Sequence, residues 1–346
     1  MLTITLRDLQ YRSRQFLIAV IGAGLVFALA LLLTGVRAGF DTEAEETVDA
    51  VGADGWLVQD GSSGPFTSLS ALPAGVAKRF AAQPGIEEAA PLVAAPQTLD
   101  GGGELLPVNV LGVVPGMLGS PQSEDGEDLG PSGGAVVGTG TDLEIGETFS
   151  LSGQEFEVLG TIEGRTYLGG VPVVYLTLPD AQRLAFGDQD LASTVVYKGT
   201  AAAPAGLSSL SNGAVQEDLL RPLKGATQTI DFLRILMWLV AGVIIGAVIY
   251  LSTLERLKDF AVLKAVGSES RSLVLGLALQ AILTSLLAAA LAVLLATVLT
   301  PGFPVPVTIG VGSILVMAAI ALAVGVLASL IGLRKVLRVD PGLAFS

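Results

Sequence analysis

Four long runs without a charged side chain constrain this chain more than any other feature of its sequence. They cover residues 16–36, 235–254, 273–299 and 308–333. A helix rises about 1.5 Å per residue, so about twenty residues cross a hydrocarbon layer of about 30 Å. Hydrophobic residues make up 51% of the chain and charged residues only 15%, which is unusual for a soluble globular domain. The sequence therefore predicts a membrane protein with four transmembrane helices.

The charged residues are unevenly distributed, and their distribution predicts how the chain is oriented. Residues 38–231 carry 27 acidic and 7 basic side chains, whereas the rest of the chain carries 5 acidic and 12 basic ones. Short segments rich in Lys and Arg usually stay in the cytoplasm. Both termini and residues 255–272 are therefore predicted to be cytoplasmic, and the acidic block extracytoplasmic. This block has no cysteine and no N-x-S/T sequence, which favours a bacterial plasma membrane.

Two arginines depart from this charge pattern. Arg37 and Arg234 lie near the predicted outer ends of the first two spans. A long basic side chain at such a place either reaches the lipid headgroups or pairs with a carboxylate. Asp41 and Asp231 are the nearest candidates for pairing.

The N-terminal segment LTITLRDLQYRSRQF has leucines at helical spacing with arginines between them. It predicts either an amphipathic helix on the inner membrane face or an ordinary basic flank. The apolar run that follows is longer than that of a signal peptide, and no small-x-small cleavage site follows it. We therefore expect a transmembrane span rather than a cleaved signal peptide.

A folded domain is predicted between the first and second spans. Segments rich in Val and Leu alternate with Gly, Pro, Asp and Ser, which indicates strands, and two helical segments lie between them. This mixture predicts an α+β domain, joined to both spans by stalk helices, with residues 115–131 as a mobile loop. The predicted strands are 55–59, 87–99, 104–113, 134–137, 147–151, 155–162, 171–178 and 192–197, and the predicted helices are 72–82 and 179–186.

The predicted fold class is thus a membrane α-helical protein with four transmembrane helices and one α+β extracytoplasmic domain inserted between helices 1 and 2. The predicted divisions are a cytoplasmic amphipathic N-terminal helix (1–15), transmembrane helix 1 (16–37), the extracytoplasmic domain with its stalks (38–231), transmembrane helix 2 (232–254), a cytoplasmic elbow (255–272), transmembrane helix 3 (273–299), an outer turn (300–307), transmembrane helix 4 (308–333) and a cytoplasmic tail (334–346).

The residue types that most enzymes need are missing. The chain has no histidine and no cysteine, which excludes Ser-His-Asp and Cys-His catalysis and the common zinc sites. It has no Walker A sequence and no Ser-x-x-Lys pair. We expect no catalytic residue, no cofactor, no metal site and no nucleic-acid partner. The acidic residues Glu124, Asp125, Glu127 and Asp128 lack the spacing of a calcium loop and are predicted to be solvated.

The apolar runs contain no Asp, Glu, Lys or Arg, which disfavours transport driven by a proton or ion gradient. Their most polar residues are Gln280, Thr284 and Ser285. Gly242 and Gly246 form a GxxxG step, which predicts close helix packing. The sequence leaves open whether that packing is within one chain or between two copies.

Residues 254–272 hold seven charges between two apolar runs. Gly267 fits the left-handed position that ends a helix, and Ser268 fits an N-cap, so a helical elbow is predicted. The elbow carries an apolar patch that either enters the lipid interface or docks into a groove on a partner protein. The patch consists of Phe260, Ala261, Val262 and Leu263.

The elbow follows the pattern E-R-x-x-[DE]-[FI]-[AG]-x-[LF]-[KR]-A-[VLI]-G, and in this the chain resembles the FtsX-like or MacB-type permeases of ABC transporters. LRDLQYRSRQFLIAVIGAGLVFAL, AVVGTGTDLEIGETFSLSGQEFEVLGTI, VPVVYLTLPDAQRLAFGDQDLASTVVY and LRKVLRVDPGLAF are similar to other segments of that family, particularly in its small actinobacterial members. The matching elbow residues are Glu255, Arg256, Asp259, Phe260, Ala261, Leu263, Lys264, Ala265 and Gly267.

The resemblance implies a permease in the lipid membrane that works as a homodimer or pseudo-dimer with a separate ABC ATPase subunit, which binds the ATP. ATP binding there would move the elbow and, through the stalks, the outer domain, a mode called mechanotransmission. Arg256 and Lys264 would face carboxylates of the ATPase, and Phe260 would fill an apolar groove. The implied coupling residues are Glu255, Arg256, Lys258, Phe260, Ala261, Lys264 and Gly267.

Three other functions remain open at this point. Small relatives of similar length export haem or other hydrophobic compounds, but without His or Cys this chain could ligate haem only through Met, Tyr or a carboxylate. The outer domain could instead regulate a cell-wall hydrolase. A membrane-anchored sensor is disfavoured, because a sensor does not need three spans joined by such an elbow.

Overall fold

The computed structural model describes residues 13–68, 70–100, 105–130, 132–255, 270–303 and 305–337. The chain divides into two compact units. The helical unit comprises Met1–Ala38 and Ala226–Ser346, and the inserted domain comprises Gly39–Gly225.

Four helices among the described residues are long and apolar enough to cross a membrane. The first runs past its apolar stretch to Asp49, and the second begins at Lys224, before its apolar stretch, as the stalk prediction requires. A turn of 3-10 helix at Thr300–Gly302 follows the third. The four helices are α1 (Ser13–Asp49), α5 (Lys224–Glu255), α6 (Ser270–Leu299) and α7 (Val311–Leu337).

Small side chains dominate the core of the helical unit. Alanines from all four helices are buried there, together with a few bulky residues such as Phe27 and Ile245. Lipid tails are as apolar as Leu, so helices in a membrane associate through close packing and not through a hydrophobic effect. Large apolar side chains point outward instead, for example Leu239 at 62% exposure and Val243 at 70%, as expected for a surface that faces lipid.

The inserted domain is built on a mixed sheet. In the described part of the chain this sheet has ten strands in the order β12-β1-β11-β3-β4-β9-β6-β8-β5, with β7 pairing with both β3 and β8, and β2 and β10 form a separate pair. Three short helices complete the domain. The strands are β1 (Gly55–Gln59), β2 (Leu72–Pro73), β3 (Ile86–Asp100), β4 (Leu105–Val113), β5 (Asp125–Gly126), β6 (Gly134–Gly138), β7 (Thr148–Leu151), β8 (Gln154–Ile162), β9 (Val173–Thr177), β10 (Leu191–Ala192), β11 (Thr194–Gly199) and β12 (Leu207–Ser211), and the helices are α2 (Val76–Ala81), α3 (Leu178–Phe186) and α4 (Asn212–Leu220).

The strands of the sheet contribute side chains to two hydrophobic cores, one on each face, because successive side chains of a strand point to opposite faces. In β9, Tyr175 enters one core and Val174 enters the other. The core that contains Tyr175 is closed by Val48 near the end of α1 and by Val215 of α4. The opposite core is covered by α3. The end of the first stalk helix is therefore part of the packing of the inserted domain.

Most predicted strands lie within about two residues of the observed ones, but one predicted helix begins late and two elements were not predicted. Leu72 precedes Pro73 and is extended, so the predicted helix 72–82 begins only at Val76. In segment 115–130, Leu118 and Leu129 are buried and β5 pairs with β8, while the other side chains are exposed or half-buried, and the mobility of this segment stays a prediction. Strand β12 and helix α4 were not predicted.

Candidate functional site

The predicted coupling elbow lies mostly outside the described residues. Helix α5 ends at Glu255 and α6 begins at Ser270. Glu255 is exposed in the last turn of α5. The other predicted coupling residues, which are Arg256, Lys258, Phe260, Ala261, Lys264 and Gly267, fall in the range 256–269 that the structure does not describe.

A buried polar contact joins the two helices that flank the elbow. Gln280 of α6 is 2% exposed, and its Nε2 donates to Oγ of Ser252 in α5 at 3.5 Å. Three neighbouring hydroxyls donate to the carbonyl oxygen four residues earlier in their own helix, at 2.7–2.9 Å, so they are satisfied without a charge in the membrane. Those hydroxyls belong to Thr253, Thr284 and Ser285. This contact links α5 to α6 near the ends that border the undescribed range 256–269.

Two glycines set the closest helix approaches. A Cβ built on Gly325 of α7 would lie 2.8 Å from Oγ of Ser285 and 3.1 Å from the carbonyl oxygen of Ala281. A Cβ on Gly24 of α1 would lie 2.9 Å from Cδ2 of Leu291 and 3.2 Å from the carbonyl oxygen of Ala288. The two side-chain distances are shorter than real Cβ contacts and the two carbonyl distances are tighter than most, so a methyl group at either position would force its neighbours to shift.

The two glycines predicted from the GxxxG step lie on α5. Gly246 is buried. Gly242 is half-buried, and a Cβ there would meet Val324 of α7 at an ordinary 3.7 Å. The role of this pair in packing stays a prediction, whereas Gly24 and Gly325 were missed because neither belongs to a GxxxG step.

An ionic cluster ties α1 to α5. A carboxylate oxygen of Asp231 accepts a hydrogen bond from Nη1 of Arg37, and the other oxygen lies 3.0 Å from Nη2 of Arg234. The Arg234 guanidinium also stacks over the Trp238 ring, 5.3 Å from its centroid. Of the alternatives left open by the sequence, both arginines therefore pair with Asp231. These side chains remain partly exposed, so screening limits what the pairs contribute to stability.

A buried glutamate holds the first stalk helix to the inserted domain. Glu43 of α1 is 4% exposed, and its carboxylate accepts from the backbone N–H groups of Gly169 and Gly170 at 2.6 and 3.0 Å. The hydroxyl of Thr166 donates to the same carboxylate. Hydrogen bonds to an ionised group are stronger than neutral ones. The loop 164–170 is thus fastened to α1 by a carboxylate, and we call this contact the Glu43 clamp.

Two fully buried aspartates organise the rest of the domain. Asp218 of α4 accepts from the N–H groups of Phe66 and Thr67 at 3.1 and 3.2 Å and from two hydroxyls of the same loop. Asp218 thus holds its loop through four hydrogen bonds.

Asp180 of α3 accepts from Ser132, Thr177 and the Gly133 N–H. Burial raises the pKa of Asp180, but these hydrogen bonds and Arg183 together outweigh it and hold the pKa below its usual value. Asp180 is therefore a structural anion.

A cleft of about 460 Å³ lies between the end of α1 and the sheet. Its walls carry Glu46 and Asp49 of α1, Arg165 of the clamped loop and Tyr175 of β9. Burial raises the pKa of the Tyr175 phenol, and Arg165 offsets part of that effect. The phenol is therefore a neutral hydrogen-bonding group at physiological pH. This cleft could not be predicted from the sequence, because α1 and residues 164–175 meet only in the folded domain.

The acidic segment precedes β6, and the side chains of Glu124, Asp125, Glu127 and Asp128 are exposed there, as predicted. Asp128 accepts from the Ser123 N–H at 2.8 Å, and Glu124 accepts from the Glu163 N–H at 3.3 Å. Among the described residues, no three acidic side chains are grouped closely enough to hold a metal ion.

The comparisons with known proteins cover both units. A model described as the MacB-like periplasmic core domain matches residues 16–211, and one described as the FtsX-like permease C-terminal matches residues 232–341. An uncharacterized ABC transporter permease of Mycobacterium bovis is 38% identical over 346 residues, which are 100% of this chain and 99% of that one. The chain belongs to the FtsX-like, MacB-type ABC transporter permeases. It is thus the membrane subunit of a transporter and not itself an ATPase.

Two further likenesses to this permease are more distant. The hemin transport system permease protein HrtB of Staphylococcus haemolyticus, as that protein is named, is 27% identical over 114 residues, 32% of each chain. The extracellular domain of the noncanonic ABC-type transporter YknZ from Gram-positive bacteria is 13% identical and covers 43% of this permease and 84% of that domain, with a TM-score of 0.35. Neither likeness assigns a ligand or a partner to this permease.

Proposed function

We propose that this permease couples ATP hydrolysis by a separate ABC ATPase subunit to a conformational change of the inserted domain. One observation carries the proposal: the helices that enter and leave the domain are unbroken extensions of transmembrane helices. Helix α1 has 37 residues and α5 has 32, which corresponds to about 55 and 48 Å. Because their backbone hydrogen bonds are internal, such helices can carry a displacement from one end to the other.

The charge distribution supports the orientation that this mechanism needs. In our proposal the elbow 255–272 and both termini face the cytoplasm of a bacterium, and the inserted domain lies outside the plasma membrane. The ATPase then binds at the elbow, where ATP is available. Arg256 and Lys264 face carboxylates of the ATPase, Phe260 fills an apolar groove, and Glu255, Lys258, Ala261 and Gly267 complete the docking surface. The Gln280–Ser252 contact supports this role because it links the helices on both sides of the elbow.

We further propose that two copies of the permease work together. Helix α5 presents exposed apolar side chains such as Phe232 and Leu239, which suit either lipid or a second copy. The GxxxG step of Gly242 and Gly246 lies on the same helix. A homodimer would offer two elbows to the two nucleotide-binding subunits of an ABC transporter.

The orientation of the permease in the membrane can be tested by labelling single introduced cysteines. The chain has no cysteine of its own that would react with the label. We expect a membrane-impermeant maleimide to label Ser123→Cys in intact cells. Ser268→Cys should react only after the cells are opened. Labelling of Ser268→Cys in intact cells would overturn the orientation and the ATPase docking with it.

The partner can be tested by affinity purification from native membranes in mild detergent. An ABC ATPase should co-purify with the permease, and Phe260→Asp should reduce its recovery while Ser272→Ala does not. Native mass spectrometry of the same sample should give two permease copies. Preparations that repeatedly lack an ATPase would contradict the proposal.

The partial likeness to HrtB favours export of haem or of a similar hydrophobic compound as a second candidate function. With no His or Cys in the chain, any axial ligand would come from Met, Tyr or a carboxylate. Titration of the purified permease with hemin should produce a saturable shift of the haem absorbance if this candidate is right. A purely nonsaturable shift would exclude it.

A further inference from the structure

The cleft in the inserted domain has the size and composition of a ligand site. Its volume of about 460 Å³ falls in the usual range of about 300–1,000 Å³ for small-molecule sites. Its apolar lining comes from Leu111 of β4 and Val173 of β9. The Tyr175 ring, which is 6% exposed, adds an aromatic surface.

The charged groups of the cleft are not used to hold the domain together. The Thr47 hydroxyl bonds within the domain, and the Thr166 hydroxyl donates to Glu43. Glu46 and Asp49, in contrast, are exposed and lie three residues apart on one face of α1. Two carboxylates at this spacing repel each other. A cation bound between them would relieve that repulsion.

Arg165 gives the cleft a second, opposite charge. It lies on the loop held by the Glu43 clamp, close enough to Tyr175 to affect the phenol electrostatically. Among the described residues, no carboxylate lies within salt-bridge distance of its guanidinium. Arg pairs well with carboxylates through two parallel hydrogen bonds. The cleft therefore combines a site for a cation, a site for a carboxylate and an apolar surface.

We propose that the cleft binds a small zwitterion with an apolar body, of the class of short peptides. Its ammonium group lies against Glu46 and Asp49, its carboxylate pairs with Arg165, and its side chains rest on Leu111, Val173 and Tyr175. Such a ligand contacts both α1 and residues 164–166. The Glu43 clamp already joins α1 to the loop that contains these residues. Binding thus stabilises the contact between the first stalk helix and its domain. This inference goes beyond the proposed coupling function and does not depend on an ATPase.

Three matched probes test the charge pattern on the full-length permease in lipid nanodiscs by calorimetric titration. They are the dipeptide phenylalanyl-leucine, its C-terminal amide, which is a cation, and its N-acetyl form, which is an anion. We expect the zwitterion to bind best, the amide about tenfold more weakly and the anion weakest, since a hydrogen bond to a charged group changes affinity by about tenfold or more. Equal affinity for all three, or no saturable binding up to about 10 mM, would overturn the proposal.

Variants then assign the charges to residues. Glu46→Gln with Asp49→Asn should weaken the zwitterion and the amide by at least about tenfold, whereas Arg165→Gln should weaken the two probes that keep a carboxylate, the zwitterion and the N-acetyl form, and leave the amide unchanged. Glu45→Gln is the matched control, because Glu45 is an exposed α1 carboxylate that does not line the cleft. An effect of Glu45→Gln as large as that of the double variant would refute the site. If the double variant fails to fold by size-exclusion chromatography, Arg165→Gln and the three probes still decide the outcome.

Discussion

The inserted domain and the helical unit bury polar groups in opposite ways. Among the described residues, the domain buries three carboxylates, those of Glu43, Asp180 and Asp218, and each collects three or more hydrogen bonds. The helical unit buries only neutral groups, such as Gln280 and Ser285. Its clustered charges at Arg37, Asp231 and Arg234 stay partly exposed.

This difference follows from the cost of burying a charge. In the domain, backbone N–H groups of loops are available to satisfy a carboxylate, so the charge can fasten a loop to a helix. In the helical unit the backbone groups are already used within the helices, and a buried charge would remain unsatisfied. The domain is therefore held by specific anchors, and the helical unit by close contact of small residues.

The anchor at Asp218 gives the largest predicted effect. Asp218→Ala leaves two loop N–H groups and two hydroxyls without their acceptor, so we expect a loss of about 3 kcal/mol in the unfolding free energy of the domain. Urea unfolding can be followed by Trp56 fluorescence in a Trp238→Phe background. Glu217→Gln, at an exposed neighbouring position, should change stability by less than about 0.5 kcal/mol. Similar effects of the two substitutions would refute the anchor role.

Close packing in the helical unit is tested by a small increase in volume. Gly325→Ala places a methyl group 2.8 Å from Oγ of Ser285, so we expect a loss of about 1–3 kcal/mol. Gly276→Ala of α6 is the matched change, because a Cβ there would meet nothing within 4 Å, and it should be neutral or slightly stabilising. Unfolding by sodium dodecyl sulfate, followed by circular dichroism, measures both. A neutral Gly325→Ala would contradict the packing seen at α6 and α7.

Asp180 predicts a specific dependence on pH. Its pKa in the folded protein is below the usual value, so its carboxylate stabilises the domain above a pH of about 4. That stabilisation is lost as the pH falls through the folded-state pKa. Asp180→Asn should be less stable at neutral pH, and its stability should fall less between neutral and acid pH. Urea midpoints measured across this range check the sign, and an unchanged acid dependence in Asp180→Asn would contradict it.

The smallest effect is expected at the contact beside the elbow. Gln280→Leu removes a long hydrogen bond to Ser252 and keeps an apolar body of similar size, so stability should change by only about 0.6 kcal/mol. Because this contact links the helices on both sides of the elbow, we expect a larger effect on coupling than on stability. Unfolding in dodecyl sulfate measures the effect on stability, and ATPase-coupled activity measures the effect on coupling. A loss of more than about 2 kcal/mol in the unfolding free energy would contradict the view that neutral polar contacts contribute little to the stability of the helical unit.

The sequence predicted the helices and strands better than the long-range contacts that hold them together. Uncharged runs of twenty or more residues leave few alternatives to transmembrane helices, and alternating Val and Leu bounded by Gly and Pro marked most strands. Strand β12, with the sequence LSSLS, was missed because three of its five residues are serines. Helix α4 was missed because its residues do not form a clear apolar stripe.

The candidate sites were less accessible to sequence reasoning. Glu43 looks like one more acidic residue in a stalk, and only the folded domain brings Gly169 and Gly170 to it, far along the chain. The cleft likewise needs α1 and loop 164–166 to meet. Arg37 and Arg234 were recognised as unusual, but the choice of Asp231 over Asp41 depends on how α1 and α5 pack. The coupling residues of the elbow stay a prediction.

The most direct test of the central claim is the rate of ATP hydrolysis by the permease–ATPase complex in nanodiscs. With Phe260→Asp, we predict that the part of the rate that depends on the permease is lost, while membrane insertion is unchanged and Ser272→Ala keeps the normal rate. Permease-dependent hydrolysis that continues undiminished in Phe260→Asp would contradict the claim that the elbow transmits the action of the ATPase.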